Sequence, residues 1–323
     1  MAESSIPVDL FNPGQVFACL GFLEAADMLC GDAEGGFDWS DELDVRFCLR
    51  TAGNENPFEA VLKFLAGAKI KAVAPRNWRP KDDPTKKEEP KNDKDRKRWE
   101  QAKRKLKEEL SQQEKAGAFP SASPETSSAM PIQIANSSKQ VVLGHWADGS
   151  SRNDFKLYSG NRSALDISTA MLSGTFDKSK KGQNVGTLRT SGIAQLWEKR
   201  KKDLIDQPFE LTPPMGGSFN FDPRGAWTAI DAGYSPNDQK HEVSASPVAE
   251  FLAAWGLESA RPDEFETRKV RYAAWGLALP PMLARVALVG GIAVLPMKRF
   301  RFELDMSGKN KVVTFAEEET IHG

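Results

Sequence analysis

The segment 76–115 constrains this chain more than any other. It carries 15 basic and 10 acidic side chains, almost no aliphatic residue before Leu106, and three prolines in its first half, Pro80, Pro84 and Pro90. A stretch of that kind cannot bury enough apolar surface to order itself. Within it, Asp95–Lys115 reads as a solvated helix of mixed charge, with Trp99, Leu106 and Leu110 as a thin apolar stripe. The Ser-, Pro- and Ala-rich stretch Gly117–Pro131 that follows reads as a flexible linker. Residues 78–130 are therefore a charged insertion, or an arm that orders on a polyanion. On this division, 1–77 forms an N-terminal α/β layer and 131–323 an α+β main domain.

In the first region Ile6–Phe11 reads as a strand. Asn12-Pro13 opens a helix, with Asn as cap and Pro at the first helical position. Val16, Leu20, Leu23, Ala26 and Leu29 recur at helical spacing up to Gly31. Asp44–Leu49 alternates as a strand, Asn56-Pro57 opens a second helix through Ala66, and Ala68–Val73 is a further strand. The last region predicts a hairpin over Ile132–His145, a strand at Phe155–Tyr158, and helices over Ser163–Leu172 and Gly186–Asp206. Ser218–Phe221 is strand-like, and Val243–Trp255 is a helix closed by Gly256. Strands follow at Val270–Trp275, Val286–Val294 and Lys298–Leu304, and Ser307–Asn310 turns the last of these into Lys311–Phe315. Phe300, Phe302 and Leu304 alternating with Arg299, Arg301 and Glu303 mark a half-exposed antiparallel strand. The fold class is α+β, with mixed, mostly antiparallel sheets and packed helices. No repeat of 20–50 residues is visible.

Several function classes are disfavoured. The net charge of −1 over 323 residues excludes a uniformly basic, histone-like protein. Cys19, Cys30 and Cys48 form no CxxC pair and no even-numbered framework, which points to a reducing cytosol. Met1–Asp9 has no basic stretch ahead of an apolar one, so no export signal is expected. The one membrane-like run, Leu277–Leu295, contains Arg285 and the paired Pro280-Pro281. A central Arg costs about 2.5–3.5 kcal/mol on insertion and the prolines break a helix, so a buried strand or short core segment is expected there and no membrane partner.

Catalytic motifs are scarce. The three histidines, His145, His241 and His322, show no metal-ligand spacing. No GxSxG elbow is present. Residues 144–151 (GHWADGSS) miss a phosphate-binding loop because Ser150 stands where the motif needs Lys. The carboxylates Asp38, Asp41, Glu42 and Asp44 are a solvated loop or, in the alternative reading of the chain as a metal-dependent nucleic-acid hydrolase, a Mg²⁺ site. His145 is that reading's other candidate base. No cofactor motif is found, and the favoured reading is not an enzyme.

Charge is unevenly spread. Residues 1–60 hold two basic and twelve acidic side chains, whereas 61–323 hold 42 basic and 33 acidic. An acidic front and a basic remainder suggest a polyanion-binding face and a separate solvated or protein-facing end. Eleven basic residues against four acidic ones fall between 152 and 202: Arg152, Lys156, Arg162, Lys178, Lys180, Lys181, Arg189, Lys199, Arg200, Lys201 and Lys202. They are the candidate phosphate contacts. Asn161, at the start of a helix beside Arg162, and Gln183 and Asn184, in the loop Asp177–Gly186, are candidate readers of base edges. Lys199-Arg200-Lys201-Lys202 ends a helix on this reading, where cations also complement the macrodipole.

Two stretches resemble the large-subunit family of type I-U CRISPR effector complexes. One is IPVDLFNPGQVFACLG over 6–21. The other is FNFDPR over 219–224, followed by AWTAIDAG over 226–233 and the helix within Val248–Pro262. Trp146 with FKLYSG over 155–160 is similar to a type I large-subunit pattern. The resemblance implies a non-catalytic role at the foot of an RNA-guided surveillance complex. Such a subunit probes duplex DNA for a short flanking motif, helps open it, and recruits a helicase-nuclease, while guide pairing reads the rest of the sequence. The implied partners are the guide RNA-bound complex with its backbone and foot subunits, double-stranded DNA and the helicase-nuclease. The chain is short for a large subunit, which leaves a helical C-terminal bundle to another protein. Asp222 and Arg224 are expected to pair internally in the FDPR turn. The third reading is a scaffold subunit with no nucleic-acid contact.

Overall fold

The computed structural model describes residues 1–117, 119, 127–147, 162–177, 186–225, 244–292, 294–307 and 310–319. Among them it is an α+β structure of seven α-helices and several mostly antiparallel sheets. The expected strand Phe155–Tyr158, His241 and the AWTAIDAG stretch lie outside the described residues.

Strands β1 (Ala2–Pro7), β2 (Glu34–Asp38) and β3 (Arg46–Thr51) form a sheet in the order β1-β3-β2, both pairings antiparallel. β1 and β2 are therefore parallel, separated by β3, and joined across it by helix α1 (Pro13–Cys30). Asn12 caps α1 by accepting from the N–H of Gln15, as its side chain and Pro13 predict. β1 begins four residues earlier than expected. Val8 and Leu10 are buried, but beyond the partner strand, which runs out at Arg46. β2 was not anticipated from its sequence, EGGFD. Its glycines are required by contact: a methyl at Gly36 would overlap the backbone carbonyl of Leu277.

Helix α2 (Pro57–Ala66), capped by Asn56, leads to β4 (Lys69–Pro75). β4 leaves the first sheet for another, in the order β5-β4-β6-β7. Here the hairpin β6 (Ile132–Asn136) and β7 (Lys139–Leu143) forms as expected. The charged segment enters this sheet as well, which was not anticipated: β5 (Glu114–Ala116) pairs parallel with β4 after helix α3 (Asp93–Gln112). α3 buries one residue, Leu106.

Helix α4 (Ala164–Ser173), capped by Ser163, is followed by a two-stranded ribbon, β8 (Thr175–Phe176) and β9 (Leu188–Thr190), and then by α5 (Ile193–Asp206). The helix expected from Gly186 thus starts at Ile193, because 188–190 is spent on β9. Ser218–Phe221 is not a strand. Asn220 takes a positive φ of 65°, and the N–H groups of Phe219 and Asp222 turn onto Glu250 instead of a ladder.

Helix α6 (Pro247–Ser259) continues past Gly256, which was expected to close it. Gly256 lies inside because α6 packs against α1 at backbone distance: a methyl there would overlap the carbonyl oxygen of Phe17, and one at Gly21 that of Leu252. The pair is buried on nearly every side along Pro13–Leu23 and Pro247–Leu257.

The remaining sheet runs β10 (Glu264–Glu266), β11 (Lys269–Trp275), β12 (Met297–Ser307), β13 (Asn310–Val313), with β14 (Glu317–Glu318) also on β12. Phe300, Phe302 and Leu304 point inward and Arg301 and Glu303 outward, as the alternation predicts. The expected strand Val286–Val294 is instead helix α7 (Pro281–Leu288) and the turn after it. Pro280 sits at its N-cap and Pro281 at its first position, so here the prolines start a helix. One hydrophobic core takes Ile6, Phe22 and Phe58 together with Ile132, Phe251, Trp275 and Phe300, joining residues of 1–77 to residues of 131–323.

Candidate nucleic-acid interface

The cations of α5 are presented by a helix that breaks among them. Ile193, Leu196 and Leu204 are buried, and α5 lies against α2 and α4. Lys199, Arg200, Lys201 and Lys202 are exposed. At Arg200 the backbone leaves helical geometry, with φ −139° and ψ 40°. The basic run therefore lies at a kink inside the helix and not at its end as expected. The last turn holds Asp203 and Asp206 and no cation, so the macrodipole does not account for the run.

Two of the four are engaged. Arg200 Nε donates to Asp203 Oδ2 at 2.8 Å. Lys201 Nζ lies 2.6 Å from Glu59 of α2 and 4.7 Å from the centre of the Trp197 ring. Lys199 and Lys202 have no carboxylate partner among the described residues. Ion pairs between groups this exposed contribute little, about 0–1 kcal/mol, so the partners of Arg200 and Lys201 hold them weakly.

The ribbon β8–β9 precedes α5 and is clamped to it. Gly174, with φ 71°, ends α4, and Gly192 caps α5. A methyl at Gly192 would meet the backbone N–H of Gly174, and the Thr175 and Thr190 hydroxyls bond across the ribbon at 2.6 Å. Arg189 on β9 is exposed. Arg162 donates from Nη1 to the carbonyl of Gly216. Among the predicted contacts, Arg152, Lys156, Asn161, Lys178, Lys180, Lys181, Gln183 and Asn184 lie outside the described residues. Arg189 lies on β9 and Lys199–Lys202 on α5, the next element in the chain, while Arg162 lies just ahead of α4.

α3 is a second cationic surface that the sequence marked as charged without assigning contact residues to it. Between 96 and 107 it has seven basic side chains against one acidic. All are exposed except Lys103, which is half-buried with its Nζ 4.1 Å from the Trp99 ring centre. Trp99 Nε1 donates to the Pro84 carbonyl at 2.8 Å, and Asn92 caps the helix. Its C-terminal turns and Ser163, Leu165 and Asp166 at the start of α4 line one open groove.

The groups of the hydrolase reading are placed otherwise. His145 is 2% exposed, and its Nε2 is buried without a hydrogen-bond partner among the described residues. Its Nδ1 lies 3.3 Å from Glu258 Oε2, which also accepts from the N–H groups of Gly144 and His145. Burial works to raise the Glu258 carboxyl, but the bond and charge of His145 and those two N–H groups outweigh it and hold it below the ordinary range. These bonds fix His145 to Glu258 near the end of α6. Asp41 accepts from the N–H of Leu43 and Asp44 pairs with Arg46, both in an exposed loop. Among the described residues no three His, Cys, Asp or Glu gather as for a metal ion.

Asp222 and Arg224 do pair, as expected from FDPR, at 2.9 Å from Nε and 2.7 Å from Nη2. Asp222 is fully buried and also accepts from Asn12 Nδ2 and the N–H of Ser246. Asn12 and Ser246 are the caps of α1 and α6, so one carboxylate ties both helix starts to the FDPR turn. Burial lowers the tendency of Arg224 to hold its proton, but the Asp222 carboxylate outweighs this and the guanidinium stays above its ordinary range.

No protein-family model, curated protein or solved structure matches this chain.

Proposed function

We propose that this chain is the non-catalytic large subunit of an RNA-guided type I CRISPR surveillance complex, gripping duplex DNA beside the guide-paired stretch. The observation that carries the reading is the kink of α5, where Lys199 and Lys202 stand exposed, without carboxylate partners among the described residues, beside two weakly paired cations. Such a cluster binds sugar-phosphate by counterion release and carries little base information. α3 supplies a second set of exposed cations. The FDPR and NPG segments support the family resemblance because they meet at one buried carboxylate that holds the central helix pair. The guide RNA-bound complex, with its backbone and foot subunits, and the helicase-nuclease are the proposed partners. Among the described residues no helix is long and apolar enough to cross a membrane.

The test is fluorescence anisotropy of the purified chain with a labelled duplex across 50–200 mM salt. Affinity is expected to fall steeply with salt, and Lys199→Ala/Lys202→Ala to lower the log–log slope by about 2, one per lost phosphate contact. Binding indifferent to salt would favour the scaffold reading. Mg²⁺-dependent cleavage of the duplex by the chain would favour the hydrolase.

A further inference from the structure

Helix α7 is apolar on both sides, yet the protein covers one of them. Ala284, Ala287 and Leu288 are buried, and Arg285 is fixed on the flank by Glu24 of α1, with Nε to Oε1 at 2.6 Å and Nη2 to Oε2 at 2.7 Å. The opposite face shows Met282, Val286 and Val289 at helical spacing, with Leu283 beside them. Met282 is 72% exposed and the other three between 42% and 47%. The stripe is about 10 Å long at 1.5 Å per residue. Isolated exposed apolar residues need no explanation, but a contiguous helical stripe marks an interaction surface.

The surroundings say what chemistry fits. The groove alongside is walled by Pro280, Pro281 and Met282 on one side and by Asp27, Asp32 and Glu34 on the other. Glu24 is matched by Arg285 and Glu34 by Arg50. Asp27 spends one oxygen on the Ala33 N–H. Asp27 also acts on Arg285, which lines the same groove, so Asp27 and Glu24 together face one guanidinium, while Asp32 forms no ion pair among the described residues. The rim is thus net negative around an apolar strip, within the acidic front of the chain.

We infer that the outer face of α7 docks an amphipathic helix of a partner protein, its apolar side chains on Met282, Leu283, Val286 and Val289 and its flanking Lys or Arg on Asp27 and Asp32. An anionic lipid surface would be repelled by the same rim, and a second copy of this chain would bring that acidic rim against itself. The surface is separate from the cations of α5, so its test does not depend on DNA binding.

The probe is a labelled 18-residue Leu/Lys amphipathic helix, with a Leu/Glu helix of identical apolar spacing as control, titrated with the full chain. The Leu/Lys helix is expected to bind at least tenfold more tightly than the Leu/Glu helix. Met282→Ser/Val286→Ser, both solvent-facing, should weaken it at least tenfold with an unchanged melting midpoint. Asp27→Asn/Asp32→Asn should weaken it severalfold and remove its salt dependence. The inference is overturned if neither peptide binds, if both bind alike, or if the serine variant binds as well as the parent. It is also overturned if the chain is a dimer that the serine variant dissociates, since the stripe is then covered by a second copy.

Discussion

Helices α1 and α3 are nearly the same length, 18 and 20 residues, and differ in almost everything else. α1 is buried over most of its circumference and touches α6 through glycines, so its neighbours decide its conformation. α3 buries Leu106 alone and is held by its cap, its charges and one indole hydrogen bond. The contrast separates two sources of helix stability. Tertiary burial responds to volume and to stray charge, whereas local propensity and capping respond to salt, end groups and polyanions. The same division sorts the molecule into a rigid frame, built on α1 and α6, and cationic elements carried on it.

The largest expected effect falls where the buried carboxylate that ties the caps of α1 and α6 together is lost. Asp222→Ala removes the carboxylate nearest Arg224, leaving it only Glu210 at 3.8 Å and the Phe209 carbonyl, and strands Asn12 Nδ2 and the Ser246 N–H. Breaking a buried pair from one side costs about 3–5 kcal/mol, and chemical denaturation should report a loss of that size. Next are the glycine contacts. Gly21→Ala and Gly256→Ala each place a methyl on a backbone carbonyl of the other helix, and overpacking of this kind costs about 1–3 kcal/mol or more. Because both residues serve one contact, the double variant should cost less than the sum of the singles. A double variant that is strictly additive would mean that the helices part at each glycine separately.

The frame also predicts a pH response. Glu250 of α6 is fully buried, and burial raises its carboxyl to about 7, against the pull of the Phe219 and Asp222 N–H bonds. Since its folded value lies above the unfolded 4.5, the folded state holds the proton longer. The stabilisation is complete below about pH 4.5 and is lost as pH rises through 7. Stability should therefore decline by about 2 kcal/mol from this site between pH 5 and pH 7. Glu250→Gln should lack that component, so the difference in slope between parent and variant is the quantity to read. Equal slopes would place the proton elsewhere.

Much of the frame was legible because it is written in local chemistry. Asn12-Pro13 and Asn56-Pro57 are caps with prolines at the first helical position, and both helices start there. The alternation in 298–304 survives because one sheet face is buried and the other wet. What escaped depends on contacts between distant segments. Gly256 has the residue type of a stop, and only the Phe17 carbonyl pressed against it explains why the helix runs through. β2 has little strand propensity, and its glycines answer to Leu277. α7 reads as buried since apolar residues occupy both of its faces, and nothing local tells which face the protein leaves open. For the cationic site, residue types revealed the cluster on α5, but not the kink at Arg200 that frees it from the helix end.

The smallest effect tests the charged side of the comparison. Asn92 caps α3 by accepting from the N–H of Lys94, and removing a cap costs about 1 kcal/mol. If α3 stands on local forces, Asn92→Ala should speed amide exchange through its first turns while the melting midpoint of the whole protein stays in place. Added salt should deepen the effect in the variant, since Asp93 and Asp95 in the first turn then stabilise the helix start less. Duplex DNA in excess should restore protection, because phosphates on Arg96, Lys97 and Arg98 would hold the turns that the cap no longer fixes. A variant that melts globally as early as Gly21→Ala would place α3 inside the cooperative frame, through the β5–β4 pairing that follows it, and the division between frame and carried helix would have to be redrawn at that strand.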